Sequence, residues 1–570
     1  MSVRRPMGGE TEFGLTSAGL TQSAHTYLSA ILVSAYADAE EERAAAEGRP
    51  GFLPSGGWDY STERPLRDAR GFTVPRRQAH PSQLTDAPAV VDALSVAAAG
   101  TPRSLRSQRA LAARGRDELV TNTVLTNGAR FYVDHAHPEY SSPEVMTPRE
   151  AAVWDLAGDV VAMRAAAAAE AAGAPRIDLF KNNTDSKSSS YGTHENYLVD
   201  RAVPFESLAE GIMAFFVTRQ VLCGAGRVGV GVPGGPVEAR PGFQISQRAD
   251  FMEELVGLET TLRRPIVNAR DEPHSDESRF RRLHVIVGDA NLLPSSITVR
   301  FAATSLVLRL IEDGICPDVR LEDPVDAIRS LSHDIPLEAP STAAALAGAF
   351  RSPLRLDTGG TTTALAVQRT YLDAARRAYS GADAETDEAL TLWGRLLDGL
   401  ETDPLSLAAD VDWIAKFRLV DGLRRRDGLA WDDVKLQAVD LQYALLDARR
   451  GLGQRLRAAG SAASLVSVTD EEVLEAVHRA PASTRAAARG HAVSSFADSL
   501  VSASWDTLTF SFASASAPTR IVLPDPSIGG AALAPALGAA DAESFAESLA
   551  RAVAAHTTAL SADHHERSAP

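Results

Sequence analysis

Ten consecutive positions, Arg130 to Glu139 (RFYVDHAHPE), carry an arginine, a tyrosine, an aspartate, two histidines and a glutamate. The apolar alternation around them reads as a strand, in which successive side chains face opposite ways, so Arg130, Tyr132 and Asp134 share one face while Phe131 and Val133 take the other. One face is chemical and the other is core. Pro138 is expected to stop the ladder, with Glu139 where the chain leaves the strand. The segment MGGETEFG, Met7 to Gly14, repeats the logic, placing Glu10 and Glu12 on one side of a short strand. Two adjacent unpaired carboxylates raise each other's pKa unless a cation lies between them. Magnesium suits such a pair, because it takes oxygen ligands and leaves coordination positions for water and phosphate. The bland alternatives are an exposed polar strand and an edge strand with solvated glutamates.

Those two strands are far apart in the chain, so the elements between and after them must bring them together. Ala24 to Ala46 is alanine-rich and reads as a helix. From Gly48 to Arg116 the apolar periodicity fades into Gly, Pro, Arg and Ala, apart from an island, WDYSTERPLRDARGF, at Trp58 to Phe72. Loops of this length are functional or disordered; both are expected here, a mobile insertion whose island docks intermittently beside the site. Thr147 and Pro148 supply an N-cap and a first helical residue. Arg176 to Asn183 and Ser190 to Asp200 read as the arms of a hairpin, and on the second arm His194 and Asn196 point the same way. His284 reads as opening the apolar strand HVIVGD.

GAGRVG, Gly224 to Gly229, partly matches a dinucleotide fingerprint, but that loop must follow a strand and open a helix, whereas Phe205 to Leu222 reads as helix. Helix termination followed by a turn accounts for the glycines. Arg263, Arg264, Arg270, Arg279, Arg281 and Arg282 crowd one segment of an otherwise acidic chain, with guanidinium forks suited to phosphate or carboxylate. Pairing with Asp271, Glu272 and Glu277 is the alternative. Thr304 to Asp498 is mainly helical, with Trp413 on an apolar stripe of the kind usually found in a core. After Asp498, SWDTLTFSF and TRIVLP read as short strands, and a helix follows from Ala542 to His556.

The 570 residues exceed one ordinary core, and 45% hydrophobic with 23% charged residues is a globular composition. A net charge of -17 argues against phosphate-backbone binding, so no nucleic-acid partner is expected. Two cysteines, Cys223 and Cys316, indicate neither a disulfide framework nor a thiolate metal site. Without a signal-peptide core or a long apolar run, a cytoplasmic protein with no membrane association is expected.

Together MGGETEFG, NGARFYVDHAHPEY, KNNTDSKSSSYGTHENYLVD, FQISQRADF, RPIVNARDEPH and RRLHVIVGDANL resemble the signatures of the family of Pup ligases and Pup deamidases/depupylases, Pup being the prokaryotic ubiquitin-like protein. The likeness runs from about Met7 to Trp505. The long insertion with LRDARGF, and the wording YVDHAHPEY, resemble the deamidase/depupylase branch. Gly9 stands where the family has a bulkier residue, which could soften the strand, and the chain after Phe512 is divergent. The resemblance implies an α+β, glutamine-synthetase-like fold: a curved, largely antiparallel sheet backed by helices over residues 1–497, with the insertion at 48–116, and a small C-terminal α+β domain at 498–570. It implies ATP and magnesium as cofactors. Glu10, Tyr132 and Glu139 would be at the metal, with Glu12, His194 and His284; Arg130, Ser142 and Trp413 would contact ATP; Asp134 would be the catalytic carboxylate, as nucleophile or as general base. Arg270, Arg281 and Arg282 are the candidates for Pup or phosphate, in a basic groove from Arg263 to Arg282. The implied reaction is hydrolysis of the side-chain amide at the C-terminal residue of Pup, either a lysine isopeptide or a glutamine amide, with pupylated proteins and a bacterial proteasome as functional partners. The rivals are a Pup ligase, and a Pup- or nucleotide-binding regulator without catalysis.

Overall fold

Antiparallel pairing of strands drawn from three distant parts of the chain gathers the reactive residues. The computed structural model describes residues 2–19, 24–48, 57–89, 91, 119–185, 190–337, 346, 349–460 and 463–567. Strands β1 (Met7–Glu12), β2 (Asn122–Val124), β3 (Arg130–Asp134), β4 (His137–Ser141), β5 (Thr193–Asp200) and β6 (Phe280–Val285) form one sheet in the order β6-β5-β1-β4-β3-β2, antiparallel throughout. The expected α+β class with a largely antiparallel sheet therefore holds.

Helices cover the back of the sheet. α1 (His25–Ala46) sets Tyr36 edge-on to Phe131, ring centres 5.8 Å apart, on the core face read for that strand. α2 (Pro148–Ala171) starts where the sequence signalled, with Thr147 and Glu150 forming a reciprocal capping box before Pro148. It can lie against β4 because position 158 is glycine: a Cβ there would come within 2.3 Å of the Tyr140 ring. α3 (Pro294–Glu312) is buried along most of its length. Between these helices and β1 lies a layer of enclosed charge. Lys181 reaches Asp155 and, at 2.9 Å, Asp159; Arg300 reaches Asp155 at 3.3 Å; and Arg219 grips Glu195 with two nitrogens at 2.7 and 2.9 Å. Gly9 rests on this layer, where an added Cβ would meet Phe301 at an ordinary 3.4 Å. The strand through Gly9 is paired on both sides, so the glycine leaves it intact.

Several local expectations are corrected. Pro138 lies within β4, opposite Val133, whose own N–H turns away to Thr121 O. The missing proline N–H therefore removes nothing from that ladder, and a turn at His135, at φ 51°, folds β3 directly back into β4. Ile177–Phe180 pairs with Gly14–Ser17 rather than with β5, so 176–200 is not a simple hairpin, though Thr184 and Ser190 make a bridge across its turn. His284 is the penultimate residue of β6 rather than its first. The C-terminal helix runs Ala542–Arg567, beyond His556. Gly224 follows the short helix Gln220–Cys223 and precedes the strand Arg227–Val230, as the rejection of a dinucleotide loop required. Among the described residues no helix is long and apolar enough to cross a membrane.

The insertion island is seated in the fold. Gly57–Trp58 pairs in parallel with Leu500–Ala503, completing a four-stranded sheet with Thr507–Phe510 and Thr519–Val522. Arg67–Asp68 and Phe72–Thr73 form a small hairpin, and Asp68 bridges to Arg270. The island is held by backbone pairing at Gly57–Trp58 and at Arg67–Asp68 with Phe72–Thr73. The remainder of the insertion, 49–56 and 92–116 with residue 90, lies outside the described residues.

Candidate active site

Cross-strand register converts three separate motifs into rows on the front of the sheet. One row runs Tyr132, Glu139, Glu12 and another Arg130, Ser141, Glu10, His194, while Asn196 pairs with His284 beside them. Directly opposed residues on adjacent strands share a face, which is why positions far apart in sequence meet here. A cavity of about 320 Å³ opens over these rows.

Around Glu10, Asn196 Nδ2 donates to Oε1 at 2.8 Å and His194 Nδ1 lies 3.1 Å from Oε2. Asn196 Oδ1 in turn lies 3.0 Å from His284 Nδ1 and accepts from Arg282 Nη1 at 2.9 Å, so one amide orients both an acid and an imidazole. Burial resists the ionisation of Glu10, but the His194 hydrogen bond and the Arg282 charge hold its pKa well below the usual value. Glu12 accepts from Gly192 N at 2.8 Å and faces His137 Nδ1 at 3.2 Å; against its burial, His137 brings it down to about 2. Tyr132 donates to Glu139 at 2.5 Å. Glu139 is pushed well above the carboxylate range by burial and then by the charges of Asp134, Glu10 and Glu12. Four carboxylates therefore share one enclosed space. Glu10 with His194 and His284, and Glu12 with Asp134 and Glu139, each bring ligand atoms within 4.8 Å of one another. Buried, mutually repelling carboxylates are the donor set that a divalent cation neutralises, so these residues fit magnesium.

Asp134 stands at the end of its strand and the side of the cavity, with His135 Nδ1 2.7 Å from its Oδ2. The Asp134 charge and that hydrogen bond raise His135 to about 9. The His135 ring fixes the direction of the Asp134 carboxyl. Arg130 lies flat between rings, its guanidinium 3.8 Å from the Tyr132 ring centre and 4.1 Å from that of Trp58, with Nη2 donating to Tyr60 at 3.2 Å. The insertion thus builds one wall of the cavity, with Tyr60 and Glu63 on it.

Ser142 accepts from Gly9 N at 2.9 Å and lines a smaller adjoining pocket of about 80 Å³ with Trp505, His274 and Arg485. Trp413 is elsewhere. It is fully buried, donates to Val221 O at 2.9 Å and packs edge-on against Phe350, so the expected ATP contact at Trp413 is corrected to a core residue. The tryptophan at the site is Trp505, edge-on to Trp58 at 5.1 Å and lining both pockets.

The basic groove also divides. Arg270 and Arg282 line the cavity. Arg281, one residue along β6 and so on its other face, donates to Val203 O at 2.8 Å and packs by Phe205. Arg264 is buried on Thr260 O and Ser190 O; Arg279 is 3.6 Å from Asp525, and Arg263 is 3.7 Å from Glu254. No single groove is formed by these six. Sequence reasoning missed Trp505, Tyr60, Glu63 and His274 as site residues. For Trp505 and Tyr60 the signal was an aromatic in a segment with little apolar stripe of its own to join.

Comparison with known proteins agrees with this arrangement. The family model described as Pup-ligase protein matches residues 5–509. A depupylase of Acidothermus cellulolyticus is 43% identical over 519 residues, 89% of this chain and 91% of the relative. A Pup deamidase/depupylase of Mycolicibacterium smegmatis is 42% identical over 513 residues, 89% and 92% respectively. Among solved structures, the complex of Pup with its ligase PafA superposes with a TM-score of 0.67 at 28% identity, covering 100% of this chain and 98% of that one. PafA in complex with ADP gives 0.65 at 32% identity, covering 85% and 100%. A family match across most of the chain, with the acid-rich rows of the sheet inside it, places this protein in the Pup-ligase family.

Proposed function

We propose that this protein hydrolyses the side-chain amide at the C-terminal residue of Pup, releasing the lysine of a pupylated protein or ammonia from a terminal glutamine. The observation that carries the reading is Asp134, a carboxylate on the cavity wall, held by His135 Nδ1 at 2.7 Å and within ligand distance of Glu12 and Glu139. Relatives named depupylase are 42–43% identical over 89% of this chain, whereas relatives named Pup–protein ligase are 38–41% identical over 65% of it, and the longer match favours hydrolysis over ligation. One neighbour was solved with ADP, and the same reading brings ATP and magnesium to this chain. Glu10, His194 and His284, and Glu12 with Glu139, would hold magnesium; Arg130, Ser142 and Trp505 would face the nucleotide. Bound there, the metal would contribute positive charge toward the oxyanion that develops on the amide, and the nucleotide phosphates would help to hold the metal.

The chain's own residues do the rest. Asp134 acts on the carbonyl carbon by direct attack or by taking a proton from water, and His135 Nδ1 holds its proton toward Asp134 in either case. Tyr132 orients Glu139, and Asn196 orients Glu10 and His284. Arg270 and Arg282 offer guanidinium groups to the carboxylates of the acidic tag. Residues 1–497 serve as the catalytic unit and 498–570 as a smaller unit closing one wall, in a cytoplasmic enzyme that feeds a proteasomal pathway. The test is incubation of the purified protein with a Pup-tagged substrate, nucleotide and magnesium. Release of substrate is expected, with Asp134→Asn abolishing it while Pup still binds; new conjugates would establish the ligase, and binding without either product a regulator.

A further inference from the structure

Glu12 is gripped from two sides by residues that are not among those lining the cavity. Gly192 N donates to its Oε1 at 2.8 Å, and His137 Nδ1, at the start of β4, stands 3.2 Å from its Oε2. That ring nitrogen is enclosed and, among the described residues, finds no other hydrogen-bond partner. The imidazole is itself fixed. It stacks on the Tyr191 ring, the centres 4.5 Å apart and the planes 27° from parallel. At its far end the Tyr191 hydroxyl donates to Asn182 Oδ1, in space that exists because residue 14 is glycine: a Cβ there would come within 2.3 Å of the hydroxyl. The Tyr191 backbone is pinned as well. Its N–H donates to Asn183 O at 3.2 Å, and its carbonyl accepts from Asn183 Nδ2 at 3.1 Å and from Arg248 Nη1. Tyr191 and Gly192 are neighbours in the chain, so one dipeptide reaches Glu12 by two routes, a ring stack and an amide. A Cβ on Gly192 would stand 2.5 Å from both Glu12 Oε1 and His194 Nε2, so the amide can approach the carboxylate only because residue 192 is glycine.

We propose that His137 is a positioning residue for the reaction proposed above, holding the Glu12 carboxylate in the direction that an ion shared by Glu12, Asp134 and Glu139 requires. These three acids bring ligand atoms within 4.8 Å of one another, and without a cation they repel. An untied Glu12 would turn away from its neighbours. Each carboxylate oxygen carries two lone pairs, so the Gly192 and His137 contacts leave a place for the ion on both. The stacked, anchored ring supplies what a flexible donor could not: a nitrogen at one fixed point behind the ligand. This role depends on those acids holding magnesium and not on which amide is cleaved.

Manganese(II) stands in for magnesium, and the free ion is counted by electron paramagnetic resonance as it is titrated into the full-length protein. His137→Ala is expected to raise the Kd by about 10- to 100-fold, the usual effect of losing a group that orients a metal ligand. His137→Asn, whose amide nitrogen can take the place of Nδ1, should recover most of that loss, whereas His137→Gln, which reaches toward the place of Nε2, should not. Because His137 acts through Glu12, adding His137→Ala to Glu12→Gln should raise the Kd no further than Glu12→Gln alone. Near-ultraviolet circular dichroism checks the fold of each variant. Should His137→Ala fail to fold, Tyr191→Leu, which frees the imidazole without removing it, should show the weakened binding instead. Parent-like binding in the variant that folds, equal binding by the Asn and Gln variants, or losses that multiply in the double variant would overturn the role, as would a parent protein that binds no manganese. Amide hydrolysis is not part of the readout. A protein that cleaves Pup yet shows none of these shifts keeps its activity and loses the role of His137, and one that shows them without cleaving does the reverse.

Discussion

At the scale of single residues, the two tryptophans make opposite claims about themselves. Trp505→Ala should raise the Kd for nucleotide at least several-fold with little change in melting temperature, since one side of that indole lines pockets and the other leans on Trp58. Trp413→Ala should do the reverse, costing about 3–5 kcal/mol of stability, the range for emptying a buried large aromatic. Nucleotide titration and denaturant unfolding of both variants check the pair; a nucleotide-specific loss in Trp413→Ala would restore the role the motif likeness gave it. The confusion has a physical origin. A tryptophan in a helical stripe and one in a turn between two short strands are equally apolar, and only the tertiary position of Leu500–Ala503 beside Gly57–Trp58 brings Trp505 to the site. By contrast Arg130, Tyr132 and Asp134 were legible from alternation alone, because a two-residue period needs no partner strand to be read. Arg281 and Arg282 could have been separated by the same period, since neighbours on one strand cannot face one cavity together.

At the scale of elements, the sheet is positioned by charge as well as by apolar packing. Lys181 and Asp155 are almost wholly enclosed behind β1, and neither would be stable there alone. Lys181→Ala leaves Asp159 buried without its cation and Asp155 with Arg300 alone, and unpairing a buried ion typically costs about 3–5 kcal/mol. The expected result is a lower denaturant midpoint and, through displacement of β1, weaker magnesium dependence; a variant within experimental error of the parent in both would show that the layer is dispensable. This layer was hidden in the sequence, where Lys181 stood inside a motif attractive for chemistry and Asp155 inside a helix with a clear cap. Helix starts such as Thr147 were legible because capping is local, whereas the pairing of Ile177–Phe180 with Gly14–Ser17 spans some 160 residues and leaves no local trace. The proline in β4 misled for a related reason: whether its missing donor matters depends on which neighbour the N–H would have faced.

At the scale of the whole molecule, Glu144 joins the catalytic sheet to the C-terminal region. Arg485 Nε donates to it at 2.8 Å and Arg489 Nη2 donates to its other oxygen, while Arg489 also reaches Gly128 O and Trp505 O, each at 2.8 Å. Burial opposes ionisation, but the two arginines hold Glu144 at about 2, below its ordinary 4.5. A depressed folded-state value means that the stabilisation is complete above 4.5 and drains away as pH falls toward 2. Acid titration followed by Trp505-sensitive fluorescence should show the C-terminal region loosening within that window, and Glu144→Gln should remove the pH dependence while lowering stability at neutral pH. An unchanged acid profile in Glu144→Gln would assign the transition to another carboxylate. The seam that Glu144 guards has its counterpart in Gly57–Trp58, which takes its parallel partner from Ser502 and Ala503. Pairing across so long a stretch of chain closes late, because the loop entropy is spent before any contact rewards it. On the ribosome the carboxylate rows of β1, β3 and β4 can form hundreds of residues before their tryptophan wall exists. A nascent or C-terminally truncated chain therefore carries the acids without the enclosure, and the protein becomes a competent catalyst only when almost all of it has been made.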